Sequence, residues 1–206
     1  MKNPLHYQQT EYDCGPTTMM NAISYLFDRE EIPPEIIRNI MLYCLDCYGE
    51  EGEPGKSGTS RMAMLFLSNW LNQFGKVDHL SIRSKYLSGE CVFLGDESYI
   101  NDALMRGGAV VLRLIYEVEH YVLLTKVKDG LVYLFDPYYE EDPYEEEDIL
   151  MDWDHPFAFN RVVPEKYFNC EGTTTYALGP KEDREAVLLF HKEETLTAEQ
   201  TIEYFI

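Results

Sequence analysis

Cys14 lies in the run Tyr12-Asp-Cys-Gly-Pro-Thr-Thr, where polar residues and a proline precede the apolar stretch MMNAISYLF. Asp13 and Thr17 are residue types that start helices, and proline is tolerated in a first turn, so a helix is expected from about Cys14 to Phe27. The start of a helix offers a thiol the positive end of the helix dipole and free backbone N–H groups, a setting that favours thiolate. The same N–H groups can serve as half of an oxyanion hole. Gly15 and Pro16 keep side-chain bulk low just after the sulfur. Most buried cysteines simply pack. The setting, rather than the residue type, singles out Cys14, and Cys44, Cys47, Cys91 and Cys170 lack it.

A thiolate nucleophile needs a histidine, itself held by a third group. Of five histidines, His6, His79, His155 and His191 sit beside polar or loop-like residues and read as surface or incidental positions. His120 opens the apolar run HYVLLTKV, and Asp136 closes the run GLVYLFDP. The two runs are joined by Lys128-Asp129-Gly130, read as a three-residue hairpin loop with glycine at its left-handed position. Facing Val127 with Leu131 puts His120 opposite Tyr138, with Asp136 as its diagonal neighbour on the same face. An aspartate there would fix the imidazole tautomer and stabilise imidazolium. The plainer reading is an Asp-Pro turn beside a core histidine. The pair acquires meaning only if Cys14 packs against this hairpin.

The elements that must position these groups are legible from spacing. Ile36, Ile37, Ile40, Met41 and Cys44 recur at helical intervals, predicting a helix from Pro34 to Cys47. After the polar loop GEEGEPGKSG, Thr59 or Ser60 caps a helix through Phe74, with Met62, Leu65, Phe66 and Trp70 turned inward. A short helix near Ser98 to Arg106 stops at Gly107-Gly108. Then come strands in AVVLRLI, HYVLLTKV and GLVYLFDP, and further strands in FNRVVPEKYF and EAVLLFHK. His120, Val122 and Leu124 alternate with Tyr121, Leu123 and Thr125, so both faces of this strand are mostly apolar. That marks a central strand covered on both sides. The fold class is α+β, helices first and then an antiparallel sheet, in a single domain spanning 1–206.

Composition narrows the function. With 45% hydrophobic and 14% aromatic residues, wholesale disorder is excluded. Seventeen basic against 37 acidic residues give a net charge of −20, which repels nucleic-acid phosphates and anionic membranes. No apolar run approaches the roughly 18 residues of a membrane span, and the N-terminal segment does not read as a secretory signal. An odd number of cysteines in a chain of this length points to reduced thiols and a cytoplasmic location. No metal or cofactor is expected. Cys44-Leu-Asp-Cys47 has no second ligand pair to complete a zinc site, and the Gly49 to Ser57 loop has neither the glycine spacing nor the charge of a phosphate-binding loop. The acidic run Glu140 to Asp148 reads as a solvated face. Its place after Asp136 leaves open a role in attracting a basic peptide.

The stretch Gln8-Gln-Thr-Glu-Tyr-Asp-Cys14-Gly-Pro resembles the active-site opening of the bacteriocin-processing cysteine peptidases, which cut after double-glycine leaders. His120-Tyr-Val followed by Asp136-Pro is similar to the same family's later strands. The resemblance covers about residues 7–27 and 109–137. It implies a papain-like fold in which the cysteine begins a helix packed on an antiparallel sheet bearing the histidine and aspartate. It also implies Gln8 as the oxyanion-hole side chain, Cys14 as nucleophile, His120 as base and Asp136 as orienter. The best-known members are fused to membrane transporters, which have no counterpart in this sequence. The implied reaction is cofactor-free hydrolysis of a peptide or related amide through an acyl-enzyme. An acyltransferase, in which an amine replaces water, shares the first half-reaction. A peptide-binding module that has lost catalysis would instead shelter Cys14 or turn the hairpin away from it.

Overall fold

The structure, a computed structural model, describes residues 1–77, 79–116 and 118–194. Residues 195–206 of the expected single domain lie outside it. Four α-helices precede or interrupt a sheet of seven strands: α1 Cys14–Leu26, α2 Pro34–Cys44, α3 Arg61–Lys76, β1 Ile82–Ser88, α4 Tyr99–Met105, β2 Ala109–Tyr116, β3 Val118–Lys128, β4 Leu131–Phe135, β5 Leu150–Met151, β6 Arg161–Pro164 and β7 Glu185–His191. The strand order is β1-β7-β2-β3-β4-β6-β5, and every paired neighbour is antiparallel. This is the α+β architecture expected, with β3 in the centre.

Period-two alternation gives the sheet two apolar faces, and each is covered. Val111, Tyr121, Leu123, Phe135, Val187 and Leu189 pack with Met19, Ile23, Ile36, Ile40, Met64 and Leu67 of the helical layer. Val110, Leu112, Val122, Leu124, Val132 and Leu134 pack with Ile100, Leu104, Phe168 and Tyr176 on the other side. His120 shares the strand face of Val122 and Leu124, whereas Cys14 comes from the opposite, helical layer.

The β3–β4 hairpin departs from the expected turn in an informative way. Lys128 pairs with Leu131 and Val127 with Val132, so the loop is the two residues Asp129-Gly130, both left-handed at φ 53° and 73°. That is the turn geometry whose twist suits a two-residue hairpin. Continued unchanged, this register would place Asp136 on the face opposite His120, because a one-residue slip exchanges faces. An irregularity between Leu124 and Lys126 restores the register, so that Leu124 pairs with Leu134 and Leu123 with Phe135. The extra residue is Thr125, whose Oγ1 donates to the Tyr133 carbonyl (3.2 Å) and whose carbonyl accepts from Tyr25 (3.3 Å). A β-bulge, not a three-residue loop, therefore brings Asp136 to the His120 face.

Other boundaries also differ from expectation. The second helix stops at Cys44 rather than Cys47. Helix α3, capped by Ser60 Oγ accepting from Ala63 N (3.2 Å), turns Ala63, Met64, Leu67, Ser68, Leu71 and Gly75 inward. Met62 and Phe66 are exposed, and Leu65 and Trp70 only half-buried. Its rotation is set at Gly75, where any side chain would overlap the Ile82 carbonyl of β1. Strand β1 was not anticipated, because Arg83, Ser84 and Lys85 dilute its apolar signal; Ser84 is buried through a 2.7 Å hydrogen bond to Ser68. The run FNRVVPEKYF holds only a four-residue strand before a turn of 3-10 helix at Glu165–Tyr167. His191, read as a surface or incidental residue, is buried against the Phe27 ring at 4.6 Å and so is not at the surface.

Candidate active site

Helix α1 starts at Cys14, with Asp13 in the N-cap position. Asp13 does not cap the helix with its side chain. Its carboxylate accepts instead from Gln9 N (3.2 Å), Thr10 N (2.8 Å) and Thr10 Oγ1 (3.1 Å), folding the preceding loop back over the helix start. The first-turn N–H groups of a helix have no intrahelical acceptor, so this end presents donors beside the Cys14 sulfur. Gly15 has a steric reason: a Cβ there would overlap Thr59 Oγ1. One turn on, Thr18 donates to the carbonyl of Tyr121 (2.9 Å, buried). That bond fastens the Cys14 end of α1 to β3 at the residue adjoining His120.

His120 Nε2 lies 2.8 Å from Asp136 Oδ1, and both side chains are buried. With Nε2 engaged, Nδ1 is the nitrogen left for a second partner, and Cys14 lines the same cleft as the ring. Burial alone would lower the imidazole's proton affinity. The Asp136 charge and hydrogen bond, together with Cys14, outweigh it and raise the pKa from 6.5 to about 10. Burial works against the carboxylate as well, yet His120, the Tyr138 N–H and Arg161 hold Asp136 below its ordinary value. These are the directions expected of a mutually stabilising ion pair.

Asp136 is itself fixed from several sides. Asn160, almost fully buried, accepts from Asp136 N (2.8 Å) and donates to the Asp136 carbonyl (2.8 Å). Tyr138 N donates to Oδ1 (2.9 Å) and Tyr176 Oη to Oδ2 (3.1 Å). No spacing pattern in the sequence marks Asn160 or Tyr176.

The N-terminal segment delivers Gln8. Asn21 of α1 brackets His6 through both backbone groups at 2.8 Å, and Gln8 N donates to the Pro137 carbonyl (2.8 Å), next to Asp136. Gln8 and Cys14 line one cleft with His120, whereas Gln9 lines a separate groove beyond α1. The Gln8 amide donates from Nε2 to the Thr10 carbonyl (2.9 Å), and its Oε1 is buried without a hydrogen bond among the described residues.

The cleft encloses about 790 Å³ and brings Gln8, Cys14 and His120 together with Tyr12, Tyr116, Tyr121 and Tyr138. Its carboxylates are Glu11, Glu119 and Glu140, and its cations are Lys56 and Arg113. Both cations are engaged: Arg113 by Glu119 and Glu185, and Lys56 over the Tyr12 ring at 5.3 Å. Cys14 is itself buried, with Cys44 in the same core cluster, and the remaining cysteines stand elsewhere. Cys44 is packed in the core, where burial pushes its thiol well up, and Cys91 and Cys170 are exposed. His155 makes an exposed 2.7 Å pair with Asp152. No described helix is long and apolar enough to cross a membrane.

No protein-family model and no curated protein matches the sequence. Among solved structures, the chain is similar to a double glycine motif protease from an AMS/PCAT transporter, crystallised in complex with the leader peptide. The identity is 12% and the TM-score 0.40, over 91% of this chain and 89% of that one.

Proposed function

We propose that this protein is a thiol-dependent hydrolase that cleaves a peptide or related amide, with Cys14 as nucleophile, His120 as proton carrier and Asp136 as orienter. The observation that carries the reading is the arrangement of His120, joined through Nε2 to Asp136 and lining the same cleft as Cys14 at a helix start. The Cys14 sulfur attacks the substrate carbonyl carbon, and the oxyanion is met by the N–H groups of the helix start. Gln8 Nε2 carries two N–H bonds, of which Thr10 takes one; the other is the second oxyanion donor in this reading. As the C–N bond breaks, imidazolium gives its proton to the departing amine, leaving a thioester on Cys14. Water then adds while His120 takes its proton, and breakdown of the second tetrahedral species releases the acid and restores the thiol.

The aromatic walls and the Glu11 and Glu140 carboxylates of the cleft support an extended peptide with basic side chains as substrate. The motif resemblance narrows this to peptides with a small residue pair at the cut. The test is digestion of a peptide library, with fragments read by mass spectrometry, alongside iodoacetamide labelling at mildly acidic pH. Cys14 is expected to label first and cleavage to vanish in Cys14→Ala. First labelling of Cys47, Cys91 or Cys170, or cleavage that survives Cys14→Ala, contradicts the reading.

A further inference from the structure

Asp136 has two carboxylate oxygens, and only Oδ1 faces His120. The other, Oδ2, accepts from the hydroxyl of Tyr176 at 3.1 Å. That hydroxyl lies 2.7 Å from the hydroxyl of Tyr144, which in turn lies 3.1 Å from Nε of Arg161. The direction of this chain is forced by its two ends. A guanidinium only donates and an ionised carboxylate only accepts. Arg161 therefore donates to Tyr144, Tyr144 to Tyr176, and Tyr176 to Asp136, each bond polarising the next toward the carboxylate.

The chain is also placed with care. Arg161 and Tyr176 are fully buried. Arg161 is anchored by the carbonyls of Asn160 (2.9 Å) and Glu140 (3.3 Å), with its guanidinium near the Tyr144 and Trp153 rings at 5.8 and 5.5 Å. Tyr176 has a φ of 64°, a left-handed backbone that residues with bulky side chains rarely adopt and that persists only where surrounding structure enforces it. Here the enforcement is a double tie to β2: Tyr176 N donates to the Ile115 carbonyl (2.9 Å) and Ile115 N to the Ala177 carbonyl (2.8 Å). The strained backbone aims the phenol across the sheet end at Asp136.

We propose that Tyr176 is a positioning residue for the reaction, linking the buried Arg161 charge through Tyr144 to Asp136 Oδ2 so that the carboxylate stays ionised and keeps Oδ1 on His120. This assignment rests on the hydrolase reading for its catalytic meaning, but the link itself is measurable without substrate. It gives Tyr144, in the middle of the acidic run, an inward task that the run's charge conceals.

The experiment is titration of the Asp136 carboxylate by carbon NMR in the full chain and in Tyr176→Phe, which deletes one oxygen and leaves the ring in place. Losing a donor to the ionised form raises the carboxylate's midpoint, by about one to two pH units for one charge-assisted hydrogen bond. Tyr144→Phe, acting one bond further away, is expected to move it by less in the same direction. It also serves if Tyr176→Phe does not fold. On a cleaved peptide, Tyr176→Phe is expected to lower kcat roughly tenfold with KM nearly unchanged, and to carry the acid limb of the pH profile upward with the carboxylate. An unchanged Asp136 midpoint in both variants overturns the proposal, whatever happens to thermal stability. A shifted midpoint in a chain that cleaves no peptide leaves the Asp136 link standing and removes the hydrolase reading instead.

Discussion

Replacing Asp136 with asparagine keeps the side chain's shape and removes its charge, which isolates what that charge does to His120. Burial alone pushes the imidazole down, and the carboxylate is the main reason its value stands at about 10 instead of 6.5. In Asp136→Asn the burial cost remains and the largest compensation is gone, leaving only Cys14 to oppose it, so His120 is expected to titrate well below about 10. At pH 8 the imidazolium fraction then falls from nearly all molecules. Turnover is expected to fall by up to about 10⁴-fold, because asparagine neither stabilises the cation nor enforces the tautomer. Stability should respond with a definite sign. A histidine held above its unfolded value stabilises the fold fully below about pH 6.5 and loses that contribution as pH rises through about 10. The carboxylate, held below 3.8, contributes above that pH and loses its share as pH falls through the folded value. At ~1.36 kcal/mol per unit, the alkaline window carries a few kcal/mol, and the variant should show little of it. Histidine-ring NMR across pH 5 to 11 reads the imidazole directly, and urea unfolding at several pH values reads the stability. A His120 that titrates near 6.5 in both proteins would refute the reasoning.

Gln8→Ala is expected to cut the chemical step by about a hundred- to a thousand-fold while Cys14 alkylation stays near normal; Gln9→Ala, altering a side chain in a different groove, should be mild in the same single-turnover assay. Gly15→Ala forces a methyl onto Thr59 Oγ1, so urea unfolding should show a loss of about 1–3 kcal/mol. Neutralising Glu11 and Glu140 together should raise KM for lysine-rich peptides, more at low salt than at high; an unchanged KM across salt concentrations would remove the electrostatic role.

The candidate site was readable because it depends on local signals: a helix start at Cys14, an apolar strand opened by His120 and an Asp-Pro at its partner's end. What the sequence concealed was mostly non-local. The facing of His120 and Asp136 depends on a bulge at Thr125, and no residue type there announces it; the three-residue loop read from Lys128-Asp129-Gly130 gives the same facing by a different route. Helix α3 was turned the wrong way because its rotation is set by the approach of Gly75 to β1, a contact between elements. Asn160 and Arg161, side by side in the chain, and the later Tyr176 support Asp136, and polar side chains that serve a buried carboxylate follow no periodicity. Tyr144 was hidden differently, as an aromatic residue inside a run of acidic ones.

The most direct test of the account is to trap the covalent intermediate. Peptides that the protein cleaves would be mixed with it, quenched in acid within milliseconds to seconds, and the protein's intact mass and peptide map recorded. The account predicts a transient acyl adduct on Cys14, absent in Cys14→Ala and longer-lived in Asp136→Asn. Cleavage with no adduct at Cys14, or an adduct mapped to another residue, would contradict it.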